Sequence, residues 1–190
     1  MSVPWLALAE FLPGVPVVEA IRQLFDNAVL AWGLAACGTA QLSKLVIELI
    51  VHRRWRPGVL VETGGMPSSH SALITGTTAA IGWQLGFDDP LFALASCLSF
   101  IILYDASGVR RAAGLTATRL NQLPASLWPA LTTPAPATPE TILPPLKENL
   151  GHTRLEVLIG SLMGPAVALP GLVYVGSPLR LVQSLGLAMG

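Results

Sequence analysis

The sequence predicts an all-α protein, a polytopic membrane helix bundle with about four spanning helices. Of the 190 residues, 52% are hydrophobic and only 12% are charged, about half the charged share of a soluble domain. The mean hydropathy is +0.61. The apolar residues are gathered into four long runs separated by polar, glycine- and proline-containing connections.

The elements follow in order. No Lys or Arg precedes the apolar N-terminus and the first basic residue is Arg22, so a cleavable signal peptide is not expected. With Pro13 and Pro16, this stretch reads as an interfacial or re-entrant segment, and a fifth, broken span is the alternative left open. The proposed spans are Ala28–Val51, Ser69–Leu85, Pro90–Tyr104 continuing to Gly108, and Leu155–Val175. At a rise of ~1.5 Å per residue, about 20 residues match a ~30 Å hydrocarbon core. The second and third runs are short by that measure and must stand steeply or share interfacial residues. Cys37 and Cys97 both fall inside spans, where cysteine serves as a small packing residue. The apolar tail over residues 178–190 is too short to cross alone.

Residues 122–147 hold seven of the 16 prolines and read as an extramembrane loop, because proline removes backbone donors and unsatisfied backbone cannot face lipid. Trp128 within it is a candidate headgroup-layer anchor. The parts on either side are too small to be separate domains, so residues 1–190 read as one membrane domain.

Four spans place the connections 52–70 and 105–156 on one side of the membrane. Those stretches hold all three histidines, His52, His70 and His152, and eight of the eleven basic residues. In the first span Gln41, Lys44 and Glu48 share a helical face running toward this basic end. An intramembrane lysine points into the bundle or a wet cavity, so Lys44 is either a site residue or half of a Lys44–Glu48 ion pair between helices. Pro67, Ser68, Ser69 and His70 read as a capped helix start, whose free N–H groups favour an anion. In GHTRLEV, Thr153 or Gly151 can cap the last helix, and His152 and Glu156 are spaced i, i+4. A carboxylate so placed can hold one imidazole nitrogen and leave the other free as a nucleophile.

The stretches GGMPSSHSA, YDASGVRRAAG and LKENLGHTRLEVLIG closely resemble the divergent membrane branch of the type 2 phosphatidic acid phosphatase and vanadium-dependent haloperoxidase superfamily, over about residues 41–164. The resemblance implies His152 as nucleophile, His70 as acid and Glu156 as the orienting carboxylate. It implies Lys44, Ser68, Ser69, Arg53 or Arg54, and Arg110 or Arg111 as phosphate ligands, with Lys147 beside the position where the superfamily has arginine. No Arg-Pro follows Lys44 at the superfamily spacing, Ser69 replaces a glycine, Leu146 stands where that arginine would, and Glu156 replaces an aspartate. Asp105 either holds Arg110 or Arg111 or caps the DASG turn.

The implied activity is hydrolysis of a lipid phosphomonoester or diphosphate of the phosphatidylglycerophosphate, phosphatidate or polyprenyl diphosphate type, through a phosphohistidine and without metal or cofactor. Vanadate is expected as an inhibitory phosphate mimic. The expected partners are the membrane and a phosphorylated lipid, with no nucleic acid. A non-enzymatic lipid-headgroup binder or transporter is the competing reading, and haloperoxidase activity ranks lower. The excess of Lys and Arg on the motif side places that side in the cytoplasm of an inner or plasma membrane, with both termini outside.

Overall fold

A computed structural model describes residues 17–60, 64–124 and 145–184. Pro13, Pro16, Trp128, most of the proline-rich loop and the end of the C-terminal tail lie outside the described residues. Among the described residues are seven α-helices and no strand: α1 (Val17–Phe25), α2 (Ala28–Val51), α3 (Ser69–Leu85), α4 (Pro90–Ser107), α5 (Val109–Asn121), α6 (Arg154–Tyr174) and α7 (Pro178–Ser184). A 3-10 turn at Pro57–Leu60 lies in the connection after α2.

Three stretches are long and apolar enough to cross a membrane: α2, the α4–α5 run Pro90–Asn121, and α6. The chain is thus a polytopic helical membrane protein, and its surface agrees. Ile50, Phe100, Ile101 and Leu162 are all more than 60% exposed, which suits lipid and not water. The expected second span, α3, has only 17 residues. It is the central helix, packed on α2, α4 and α6, and no residue from Ser71 to Gly82 is exposed. That enclosure explains its serines and threonines, which a lipid-facing helix could not carry so densely.

Small residues make this packing possible. Without a hydrophobic drive between helices in lipid, association relies on close backbone approach. Gly160 and Gly164 of α6 lie on Ser68, Ala72 and Gly76 of α3, where a Cβ at Gly164 would meet the Gly76 nitrogen at 2.5 Å. Ala36, Ala40 and Ala72 form the adjoining core, with Met163 and Val167 packed against it. Between α3 and α4 the buried hydroxyls of Thr78 and Ser99 pair at 2.8 Å.

One expectation changes. Hydropathy assigns no element to residues 109–121, yet α5 forms there from Ala, Leu and Arg, good helix formers, and buries only Gly114 and Ala117. At the N-terminus α1 is a nine-residue helix, about 14 Å long and too short to cross. Its apolar Val17, Ile21, Leu24 and Phe25 are exposed, and Glu19 pairs with Arg22 at 2.9 Å. The N-terminal stretch with Pro13 and Pro16, expected to be interfacial or a fifth, broken span, lies outside the described residues.

Candidate functional site

The site is built where four helix ends converge. The Ser68 N–H, which opens α3, donates to the Glu156 carbonyl at 3.1 Å, and the His152 N–H donates to the Ala106 carbonyl of α4 at 2.9 Å. From α2, Lys44 Nζ donates to the Gly64 carbonyl at 3.0 Å. The two connections expected on one side of the membrane therefore meet.

His152 is buried, 6% exposed. Its Nδ1 lies 3.0 Å from Glu156 Oε2. The same oxygen accepts the Thr153 N–H at 3.0 Å, while the Glu156 N–H donates to Thr153 Oγ1 at 3.2 Å. This reciprocal capping box selects Thr153 over Gly151 as the cap of α6 and fixes the carboxylate beside the imidazole. An ionised carboxylate only accepts hydrogen bonds, so in the neutral imidazole beside it Nδ1 carries the proton and Nε2 keeps the lone pair. Gly151, at φ +77° and against the backbone of Arg111, makes the turn that aims the chain into His152; a side chain there would be strained and would collide.

His70 and His152 line one small cavity of about 70 Å³, together with Asp105 and Arg110. Asp105 Oδ2 accepts from Arg110 Nε at 2.5 Å, which settles its partner as Arg110. The volume corresponds to about two water molecules, the scale of a small oxyanion. Beside it lies a cavity of about 690 Å³ lined by Lys44, Glu48, Arg56, Arg111 and Glu156 among others, and the two share Gly64, Leu150 and Gly151. An open groove of about 720 Å³, lined by Phe100, Ile101, Tyr104 and Val157, reaches Asp105 from the lipid-facing side.

The remaining expected residues are distributed unevenly. Ser68 is fully buried, and its Oγ accepts from the Ser71 N–H at 3.3 Å and the Ser71 hydroxyl at 2.9 Å, so it caps α3 as expected and is engaged there. Ser69 is buried in the first turn. Arg53, Arg54 and Lys147 are exposed and line neither cavity. Arg53, at φ +53°, ends α2, and the Arg54 N–H returns to the Glu48 carbonyl at 3.3 Å.

The Lys44–Glu48 ion pair does not form. Glu48 pairs with His52 Nδ1 at 3.0 Å, one turn toward the helix end, while Lys44 reaches the loop. Sequence reasoning also missed Thr118, Asn121 and Glu148. Their only signal was the helix-forming composition after Gly108, which places the first two one turn apart.

The fold and this site define an integral membrane protein with a histidine–carboxylate centre at one end of a helical bundle. The chain belongs to the Divergent PAP2 family, which its residues 25–167 match. It is also 39% identical, over 146 residues, to the uncharacterized membrane protein YuiD of Bacillus subtilis (strain 168), a match covering 75% of this chain and 92% of that protein. No solved structure matches it.

Proposed function

We propose that the protein is a lipid phosphatase that hydrolyses a lipid phosphomonoester or diphosphate by double displacement at His152. The observation that carries this reading is the His152–Glu156 pair at 3.0 Å beside a cavity shared with His70 and Arg110. His152 Nε2 attacks phosphorus as the bond from phosphorus to the leaving oxygen breaks. His70 donates a proton to that oxygen. Water then attacks the phosphohistidine and passes a proton to His70, releasing phosphate and restoring both histidines. Arg110, with Lys44 and Arg111 from the adjoining cavity, balances the charge on the non-bridging oxygens, where fixed donors act most strongly. The groove along Phe100 and Tyr104 suits the hydrocarbon chain of a lipid whose headgroup reaches the site.

The route uses no metal, and among the described residues no three of His, Cys, Asp and Glu converge as metal ligands. Purified protein should therefore release phosphate from phosphatidate, phosphatidylglycerophosphate or a polyprenyl diphosphate in the presence of chelator, and orthovanadate should block it. Strict dependence on Mg²⁺ sinks the route. Tight lipid binding with no phosphate release from any of the three would replace it by the headgroup-binding reading.

The site faces the cytoplasm of an inner or plasma membrane in this proposal, supported by the eight Lys and Arg of the motif side and the positive-inside rule. Single cysteines at Lys147 and Asp88, in a chain lacking Cys37 and Cys97, test it in intact cells with an impermeant thiol reagent. Labelling at 88 and not 147 is expected, and the reverse overturns the orientation.

A further inference from the structure

The segment that delivers His152 is fastened along the whole of α5. Asn121, the last residue of that helix, donates from Nδ2 to the Leu146 carbonyl at 2.8 Å and to Glu148 Oε1 at 2.7 Å, and its Oδ1 accepts the Leu146 N–H at 2.9 Å. Thr118 Oγ1, one turn earlier, donates to Glu148 Oε2 at 3.1 Å. One turn earlier again, a Cβ on Gly114 would lie 2.7 Å from the Glu148 carbonyl oxygen and 2.8 Å from that of Leu150. Gly151 then lies on Arg111, and the His152 N–H reaches Ala106. Contacts thus step backward along α5 as residues 146–152 step forward, an antiparallel strap along a helix.

We infer that Asn121 and Glu148 are positioning residues that close the neck of the proline-rich loop and so seat His152 against α4 and α5. The inference rests on the phosphatase reading only for its effect on turnover. The 24 residues between Asn121 and Leu146 must have their ends brought together for the strap to dock. Fixing two chain positions beside one another costs conformational entropy, and three bonds from one amide, with the carboxylate of Glu148 gripped at both oxygens, oppose that cost. Neither residue reaches the small cavity; Asn121 lines neither cavity and acts through the strap alone, while Glu148 also lines the larger cavity.

The test reads the strap directly. In Asn121→Ala, hydrogen exchange at the His152 amide should quicken on the order of tenfold, and kcat for phosphate release from phosphatidate in detergent micelles should fall by a similar factor while KM moves less than about twofold, since a small displacement of a reacting group lowers rate more than binding. Replacing residues 122–145 of that variant with a six-residue Gly-Ser linker, a short flexible connection with a small closure cost, should recover part of the loss in both readouts. Glu148→Ala should follow Asn121→Ala, and Glu148→Gln, which keeps an acceptor for Asn121, should stay within about threefold of wild type. If the His152 amide exchanges at the wild-type rate in both alanine variants, or if the shortened loop rescues nothing, the strap does not position the site. If wild type releases no phosphate, the phosphatase reading fails and the exchange measurements still decide the strap. Should Asn121→Ala not fold, Glu148→Ala carries the same comparison.

Discussion

The two ends of the bundle are built on opposite plans. At the end where α2 begins and α7 packs, α3 and α4 are joined by the turn Gly86–Asp89, Asp89 caps α4 through the Leu91 N–H at 2.7 Å, and Phe87 packs edge-on against Phe92 with ring centroids 5.2 Å apart. Trp32 Nε1 donates to the Gly176 carbonyl at 2.8 Å, and Asp26 accepts the Leu179 N–H at 2.9 Å. Polar groups there serve the closure of the fold. At the other end the connections are long, two cavities open between the helix ends, and cations stay exposed. Long connections let helix termini splay around a ligand while the tight end holds the bundle shut, which is the usual division between scaffold and site-bearing loops.

If that division is real, substitutions at the two ends should separate activity from stability. The largest effect is expected at His152. His152→Ala should lower phosphate release by at least about 10³-fold, as loss of a nucleophile does, and abolish labelling by a radioactive lipid phosphate. His70→Ala should cost roughly 10²–10⁴-fold, the range for a general acid. Thermal unfolding should change little in either. Wild-type rates in both variants would make the histidines structural and erase the contrast.

The reverse is expected where α6 crosses α3. Gly164→Leu would drive a side chain into Thr75, the Gly76 backbone and the Ala72 carbonyl, and overpacking of this kind costs about 1–3 kcal/mol or more. The variant should accumulate poorly and unfold at lower temperature in detergent, and the fraction that folds should keep wild-type turnover per molecule. A folded, fully stable variant would show that the seam is looser than the backbone contacts imply.

How far this contrast was legible in the sequence depends on the range of each interaction. The His152–Glu156 pair, the Ser68 cap and the Thr153 cap lie within four residues, so helix geometry alone places their atoms. The meeting of the two connections followed from counting spans. Lys44 was harder, because Glu48 and Gly64 were both within its reach and only the fold of the loop decides between them. Asp105 offered two arginines and a turn, and the break at Gly108 gives it Arg110. Glu148 and Asn121 were invisible, since their contact spans 27 residues and depends on a helix that hydropathy does not report. Arg53 and Arg54 had the right charge, but the turn that ends α2 carries them away from both cavities.

A smaller effect sharpens the account of the tight end. Trp32→Phe removes the indole N–H that holds the Gly176 carbonyl and leaves an aromatic ring over Gly171, which Trp32 packs against. A net hydrogen bond contributes about 1 kcal/mol, so a modest drop in unfolding temperature with unchanged kcat and KM is expected. A change in turnover larger than the change in stability would mean that the two ends are coupled through α6.

The smallest effect concerns Asp26, which joins the entry to α2 with the start of α7 outside the membrane. The Ser177 side chain, then the Leu179 N–H, and the charges of Arg22 and Arg180 hold its carboxyl below the ordinary value of 3.8. A carboxyl whose value is lowered by folding stabilises the fold when ionised. That contribution is fully present above the unfolded value and is lost as pH falls through the lowered folded value. Asp26→Asn keeps an acceptor for Leu179 and removes only the charge, so it should unfold at slightly lower temperature than wild type at pH 7, with the gap closing below about pH 4, where an ordinary aspartate gains its proton. Turnover at pH 7 should be untouched, because Asp26 lies at the opposite end from His152. A gap of constant size from pH 7 down to pH 3 would show that the charge of Asp26 contributes nothing and that its hydrogen bonds alone fasten α7 to the bundle.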